Sequence, residues 1–206
     1  MGAGEVVTAQ RMLLYADEDQ AFAALRVLAP GGPGVAFVPR ADGVHLLQFA
    51  ILGSLFVQHV WNIEKPRVGL VNIGEEEGKG NILAQAAYPL LKECPQINFI
   101  GNIEGRDVFM DKADVMVCEG FTGNVLLKMA ESIHDIMLRR NIRDEYFDRF
   151  DFEQYGGVPV LGVAKPVIIG HGISHGPSFS NMIDLAVRMI EKDLLGKIKE
   201  SFQKTN

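Results

Sequence analysis

The chain has 206 residues, 48% of them apolar and 22% charged, proportions that exclude disorder and allow one domain with a full core or two small ones. Its net charge of -6 excludes a general nucleic-acid binder, which carries a basic excess. Cys94 and Cys118 are its only cysteines, too few for a disulfide framework and without metal-ligand spacing, so a reducing cytoplasm is the expected setting.

The N-terminus shows no basic, apolar and small-residue succession of a secretory signal. Val6 stands where a myristoylation signal needs Ser or Thr. Residues 5 to 28 carry apolar side chains at helical spacing, broken near Asp17-Glu18-Asp19, and predict two consecutive helices that end at Pro30-Gly31-Gly32-Pro33-Gly34. Val35 to Val38 is a short strand closed by Pro39. His45 to Ile63 is an apolar helix. Its most apolar part, Leu46 to Trp61, is interrupted by Gln48, Ser54, Gln58 and His59, so it reads as a core helix and not as a membrane span.

Arg67 to Asn72 is a strand, and it runs into a loop, Ile73 to Asn81, that holds three glycines, three glutamates and one lysine. A helix follows from Ile82 to Glu93, with Pro89 as a kink or early break. Ile97 to Ile100 is the next strand, with Gly101 to Asp107 a polar loop. Asp114 to Cys118 is another strand, then the loop Glu119 to Asn124 and a helix from about Val125 to Arg140. Tyr155 to Pro159 reads as irregular, Pro166 to Gly170 as a strand, and Phe179 to Phe202 as a C-terminal helix. Alternating strands and helices predict an α/β domain over residues 1–206, with a largely parallel sheet covered on both faces.

In such a sheet the loops after the strands gather on one edge and form the ligand crevice. Gly78 and Gly80 allow backbone N–H groups to approach an anion, and Lys79 between them can bring a positive charge there. The same stretch also reads as a flexible acidic turn, and it lacks P-loop spacing. Thr122, Gly123 and Asn124 precede a helix whose N-terminus suits a phosphate or carboxylate, although Thr122 and Asn124 also read as simple caps. Glu75, Glu76 and Glu77 suit a magnesium ion or a solvated acidic turn. His171 and His175 lie in a glycine-rich loop, which favours loop hydrogen bonds over a metal pair. Arg139, Arg140 and Arg143 fit an acidic partner or an ordinary helix C-terminus.

Several of these stretches together resemble the phosphate acyltransferase family of bacterial phospholipid synthesis. They are Leu47 to Ser54, Pro66 to Asn81, Ile97 to Asp107, Ala113 to Val115, Glu119 to Val125, Tyr155 to Gly157 and Ile168 to Gly172, in that order. The resemblance covers roughly residues 45–200, while residues 1–40 diverge. It implies a three-layer α/β/α fold like that of isocitrate and isopropylmalate dehydrogenases. It implies transfer of a fatty acyl group from acyl carrier protein to inorganic phosphate, giving acyl phosphate. It also implies a homodimer with peripheral membrane attachment, and neither a cofactor nor a metal.

Phosphate attack on a thioester needs an anion held near the carbonyl and donors aimed at the oxyanion. On the resemblance, Lys79 binds phosphate or stabilises the developing charge, and Asn124 with the Gly123 N–H serves the oxyanion. Asn81, Thr122 and His171 would assist, with Gly78 and Gly80 shaping the phosphate loop. Lys79 and Asn124 are expected to face each other across one anion-sized gap. Cys118 is left as a core residue, since phosphate is itself the nucleophile.

Departures from the family pattern temper these expectations. The Asp-Ala-Met-Gly-Gly-Asp motif that opens relatives is absent, and Phe37-Val38-Pro39-Arg40-Ala41 replaces Asp-Val-Gly-Ala-Asn. Glu119 stands where Asp is usual. Between Lys128 and Tyr155 the chain is shorter, and Arg139, Arg140, Arg143, Asp144, Glu145, Asp148 and Arg149 bring charge where relatives have an apolar hairpin. Weak membrane contact is therefore expected. Besides the active enzyme, a relative with another acyl donor or acceptor and a non-catalytic carrier-protein-binding subunit, alone or in a heteromer, stay open.

Overall fold

The computed structural model describes residues 24–27, 34–37, 42–144, 157–163, 165–170 and 174–203. Its centre is strand β3, Arg67–Asn72, whose Val68, Gly69 and Leu70 are all buried, as a strand covered on both faces requires. β3 lies between β4, Asn98–Glu104, and β5, Val115–Val117, and pairs with both in parallel. β2, Gly34–Phe37, adds to β5 in parallel, and β1, Ala24–Val27, closes that edge antiparallel to β2. The order is β1-β2-β5-β3-β4.

Side-chain alternation divides the core between the two faces of this sheet. Val68, Leu70, Val115 and Val117 join the larger cluster, with Leu46, Phe49, Phe56 and Val60 of helix α1, Gly43–Val60, and Ala84, Ala87 and Leu91 of helix α2, Ile82–Glu93. Met116, Cys118 and Ile103 face the other way, under Val108 of the 3-10 helix Gly105–Phe109, with Leu126 of helix α3, Gly120–Arg139, packed against them. Each large side chain so buried stabilises the fold by roughly 1.5–3 kcal/mol. α1 is capped by Asp42, whose carboxylate accepts from the His45 N–H at 3.0 Å. It is long and apolar enough to cross a membrane, yet most of it is buried within the protein, against α2, the sheet and the C-terminal helix α5, Leu194–Gln203. That burial explains its nearly all-round apolar character.

Several boundaries differ from the sequence reading. Ala24–Val27 is a strand where a helix is predicted; a run of only four residues, Ala-Leu-Arg-Val, fits either periodicity, and the remaining residues of that prediction lie outside the described set. β4 continues to Glu104 through residues predicted as loop. The cause is a bulge: Gly101 adopts φ 95°, the pairing register shifts between Val68 and Gly69, and Asn102 and Ile103 both become buried. Pro89 sits inside α2 without ending it, because Leu91 anchors the last turn in the core. α3 begins at Gly120, not Val125, because Glu119 caps it.

Gly157–Val160, read as irregular, is strand β6, antiparallel to β7, Val167–Gly170. This hairpin is a separate two-stranded sheet. The loop after β7 therefore does not belong to the row of loops on the parallel sheet, as the sequence reading has it. The C-terminal helix is two helices, α4, Gly176–Glu191, and α5. They part at Asp193, which takes φ 48°. α4 packs on the hairpin, and its Leu185 and Met189 join the larger core cluster with Val160 and Leu161.

Candidate functional site at the carboxyl edge of the sheet

The loop after β3 is held by hydrogen bonds from its surroundings. The Asn72 carboxamide donates to the Lys79 carbonyl at 3.0 Å and accepts from the Ile73 N–H at 2.8 Å. Gln85, one turn into α2, donates to the carbonyls of Gly78 and Gly80 at 3.2 and 3.0 Å. From β4, the buried Asn102 donates to the Glu76 carbonyl at 2.8 Å. Gly80 takes φ 96°, and a side chain there would collide with the Asn72 carboxamide, so only glycine fits. Gly78 has open space around it, which leaves its backbone accessible.

Two of the three acids of the loop are engaged. Glu75 pairs with Lys112, which also meets Asp107 at 2.9 Å, and Glu77 pairs with Lys92 at 2.8 Å. These partners raise the pKa of both lysines. The backbone N–H of Glu104 and then Lys112 hold the Asp107 carboxyl below the usual carboxylate range. Glu75, Glu76 and Glu77 thus form no metal cluster, nor does any other group among the described residues. Lys79 is exposed and has no carboxylate partner among the described residues. Its aliphatic stem passes over Gly74.

Beside this loop a cavity of about 460 Å³ opens between β3, α1, α2 and the start of α3. Gly80, Asn81 and Thr122 all line it, so the structure brings the neighbours Gly80 and Asn81 together with Thr122, which lies far from them in sequence. Asn81 caps α2 by accepting from the Ala84 N–H at 2.8 Å. Glu119, passed over as a site residue, shapes the opposite wall. Its carboxylate accepts the N–H groups of Phe121 and Thr122 at 2.6 and 2.9 Å and also takes the Thr122 hydroxyl. The Gly123 N–H donates to the Glu119 carbonyl at 3.0 Å. The free helix-end donors expected at Thr122 and Gly123 are therefore already engaged, since this helix starts five residues earlier and carries its own anion. An acid three residues before Thr122 was the available signal.

Asn124 lies in α3 by its backbone, and its side chain is outside the described residues, as is His171. His175 is the cap position of α4, without a side-chain cap bond, in the separate hairpin region. Cys118 lines the cavity, fully surrounded; burial, and then the nearby Glu119 charge, push its thiol far up. It stays protonated and is no nucleophile.

The fatty acid synthesis protein family matches residues 38–146 and 134–197, which takes in the loop after β3, the cavity and α3. The chain belongs to that family. Phosphate acyltransferase of Crocosphaera subtropica is 45% identical over 177 residues, 76% of this chain and 51% of the relative. The namesakes from Dictyoglomus thermophilum and Endomicrobium trichonymphae are 39% identical over 179 residues and 40% over 200, covering 78% and 87% of this chain and 53% and 57% of their own length. This family member thus spans about half the length of the curated relatives it matches.

Proposed function

We propose that this chain carries out acyl transfer to phosphate, moving a fatty acyl group from an acyl carrier protein thioester to inorganic phosphate for phospholipid synthesis. The observation that carries the reading is Lys79. It is the cation of a loop in which Glu75 and Glu77 pair with lysines elsewhere, and it directly precedes Gly80, which lines a cavity with Asn81 and Thr122. The names of the relatives point to the same chemistry.

A phosphate oxygen attacks the thioester carbonyl carbon, the carbonyl oxygen becomes a tetrahedral oxyanion, and the carbon–sulfur bond breaks to release the carrier thiolate, which takes a proton. Lys79 holds the phosphate or balances the oxyanion, and Asn124 donates to the carbonyl oxygen. Asn81, Thr122 and His171 are supporting contacts. The reading needs Lys79 and Asn124 to meet across one gap. The three-layer fold of the isocitrate dehydrogenase type, a homo-oligomer or heteromer, weak membrane contact and a cytoplasmic setting go with it.

A second reading, a non-catalytic carrier-protein binder, is favoured by one observation: Glu119 already occupies donors that a phosphate would use at α3. The two are separated by incubating the protein with palmitoyl acyl carrier protein and phosphate and trapping acyl phosphate with hydroxylamine. Product is expected, and Lys79→Ala and Asn124→Ala should each lower kcat by about 100-fold or more with unchanged circular dichroism. Carrier protein binding without product would select the second reading.

A further inference from the structure

The cavity beside the Lys79 loop changes character with depth. Leu46, Leu70, Ala84 and Cys118, contributed by α1, β3, α2 and the end of β5, are all buried and form its floor. Asn72, Gly80, Asn81, Glu119 and Thr122 are partly or fully exposed and form a polar mouth. Leu83 of α2 and Leu126 of α3, both half-buried, line it as well and are the large apolar side chains between these two sets in exposure. Ile73, also in the lining, is 81% exposed, and Ile82 and Phe121, next in the chain to the lining residues Asn81 and Thr122, are 87% and 79% exposed.

A phosphate has no use for such a floor: its oxygens would lose water and find no donors there. The Cys118 thiol does not change this, because its burial keeps it uncharged and it behaves as a small apolar side chain. An unbranched alkyl chain suits it, since the polar head of its thioester can stay at the mouth, where Gly80 and Asn81 follow Lys79 in the loop, while its methylenes replace water against Leu46, Leu70 and Ala84. The exposed Ile73, Ile82 and Phe121 offer further apolar surface.

We infer that this cavity is the acyl-chain slot, and that Leu126 and Leu83 set the length of chain it accepts. The inference rests on the acyl-transfer reading for the identity of the ligand, but the slot can be tested without turnover. Leu126→Trp and Leu83→Trp narrow the cavity, and Leu126→Ala widens it.

For each variant the kcat/KM for palmitoyl and octanoyl acyl carrier protein would be measured, together with displacement of bound cis-parinaric acid by palmitate and by octanoate. Either Trp variant should lower the palmitoyl-to-octanoyl ratio about tenfold, and Leu126→Ala should raise it, in both measurements. Should the Trp variants prove unstable to heating, Leu126→Ala alone decides, because it must move the ratio in the opposite direction. Ratios that stay at the wild-type value in folded variants, with acyl phosphate still formed, would overturn the slot and leave the acyl-transfer reading standing. Chain-length-dependent displacement that follows the variants, without any acyl phosphate, would support the slot and overturn the reaction.

Discussion

The two ends of β3 use similar side chains in opposite ways. At the amino end, Asp114 is held on three sides. It accepts from the Arg67 backbone N–H at 2.7 Å and from the guanidinium at 3.0 and 2.9 Å, and its own N–H returns a bond to the Arg67 carbonyl at 2.9 Å. That carboxylate is 11% exposed, and its hydrogen bond to the guanidinium raises the Arg67 pKa further. At the carboxyl end, Asn72, Gln85 and Asn102 bind loop carbonyls instead of one another. There Glu75 and Glu77 pair outward with lysines of α2 and of the segment before β5, and Lys79 has no ion pair with any described residue. Charge at one edge is cancelled to lock strand to strand. At the other it is kept available, and the loop is fixed by uncharged amides.

The contrast predicts that the two edges respond differently to substitution. Asp114→Ala removes the partner of a half-buried guanidinium and the acceptor of the Arg67 backbone N–H, leaving the backbone bond from residue 114 to the Arg67 carbonyl. A fully buried pair broken this way costs about 3–5 kcal/mol, and solvent reaching the 39% exposed Arg67 brings the expected loss to about 2–3 kcal/mol. Urea unfolding would measure it. The cavity lies at the far edge, so kcat and KM for acyl transfer should stay within about twofold of wild type at a temperature where the variant is folded. Activity lost in step with stability would mean that the edges are not independent.

Glu119→Ala is the reciprocal change. It removes the cap of α3, which is worth about 1 kcal/mol, less than the loss expected from Asp114→Ala. Yet it strips the cavity wall of a carboxylate and releases the Phe121 and Thr122 N–H groups. The KM for phosphate should move in Glu119→Ala and stay put in Asp114→Ala. If steady-state kinetics showed the reverse pattern, the division of labour between the edges would be lost.

Sequence reasoning reached the carboxyl edge more easily than the amino edge, for physical reasons. β3, its loop and α2 are local features: a branched apolar run, an Asn81 cap and an Ala/Leu helix carry their own boundaries, and the structure places them at Arg67–Asn72 and Ile82–Glu93. Gly80 could be singled out as glycine because its neighbourhood is contiguous in the chain. Arg67 and Asp114 are 47 residues apart, and nothing local announces their pairing. The bulge at Gly101 hid the outer half of β4, because polar Asn98 and Asn102 interrupt the run that normally marks a strand. Glu119 was read as a departure from a family pattern and not as a cap, so the start of α3 slipped by five residues. The convergence of Gly80, Asn81 and Thr122 on one cavity is a property of strand order, which sequence periodicity suggests but does not determine.

The smallest effect belongs to the amino edge again. α1 ends there, before the turn into β3, and its last turn carries His59. Burial, and then the charges of Lys197 and Lys192, hold this imidazole below the ordinary histidine value of 6.5. The unfolded chain therefore takes up a proton at a pH where the folded protein still refuses it. Between those two values the unfolded state binds more protons, so stability is complete above the ordinary value and declines as pH falls through the window below it. The slope must be shallower than the about 1.4 kcal/mol per pH unit that a whole proton gives. Urea unfolding between about pH 5.5 and about pH 7.5 would record it, clear of the carboxylates, which titrate at lower pH. His59→Gln should flatten the profile, and Lys197→Met should flatten it partly by relieving one of the two repelling charges. A slope that survives His59→Gln unchanged would place the titrating group elsewhere and leave the amino edge held by the Arg67–Asp114 pair alone.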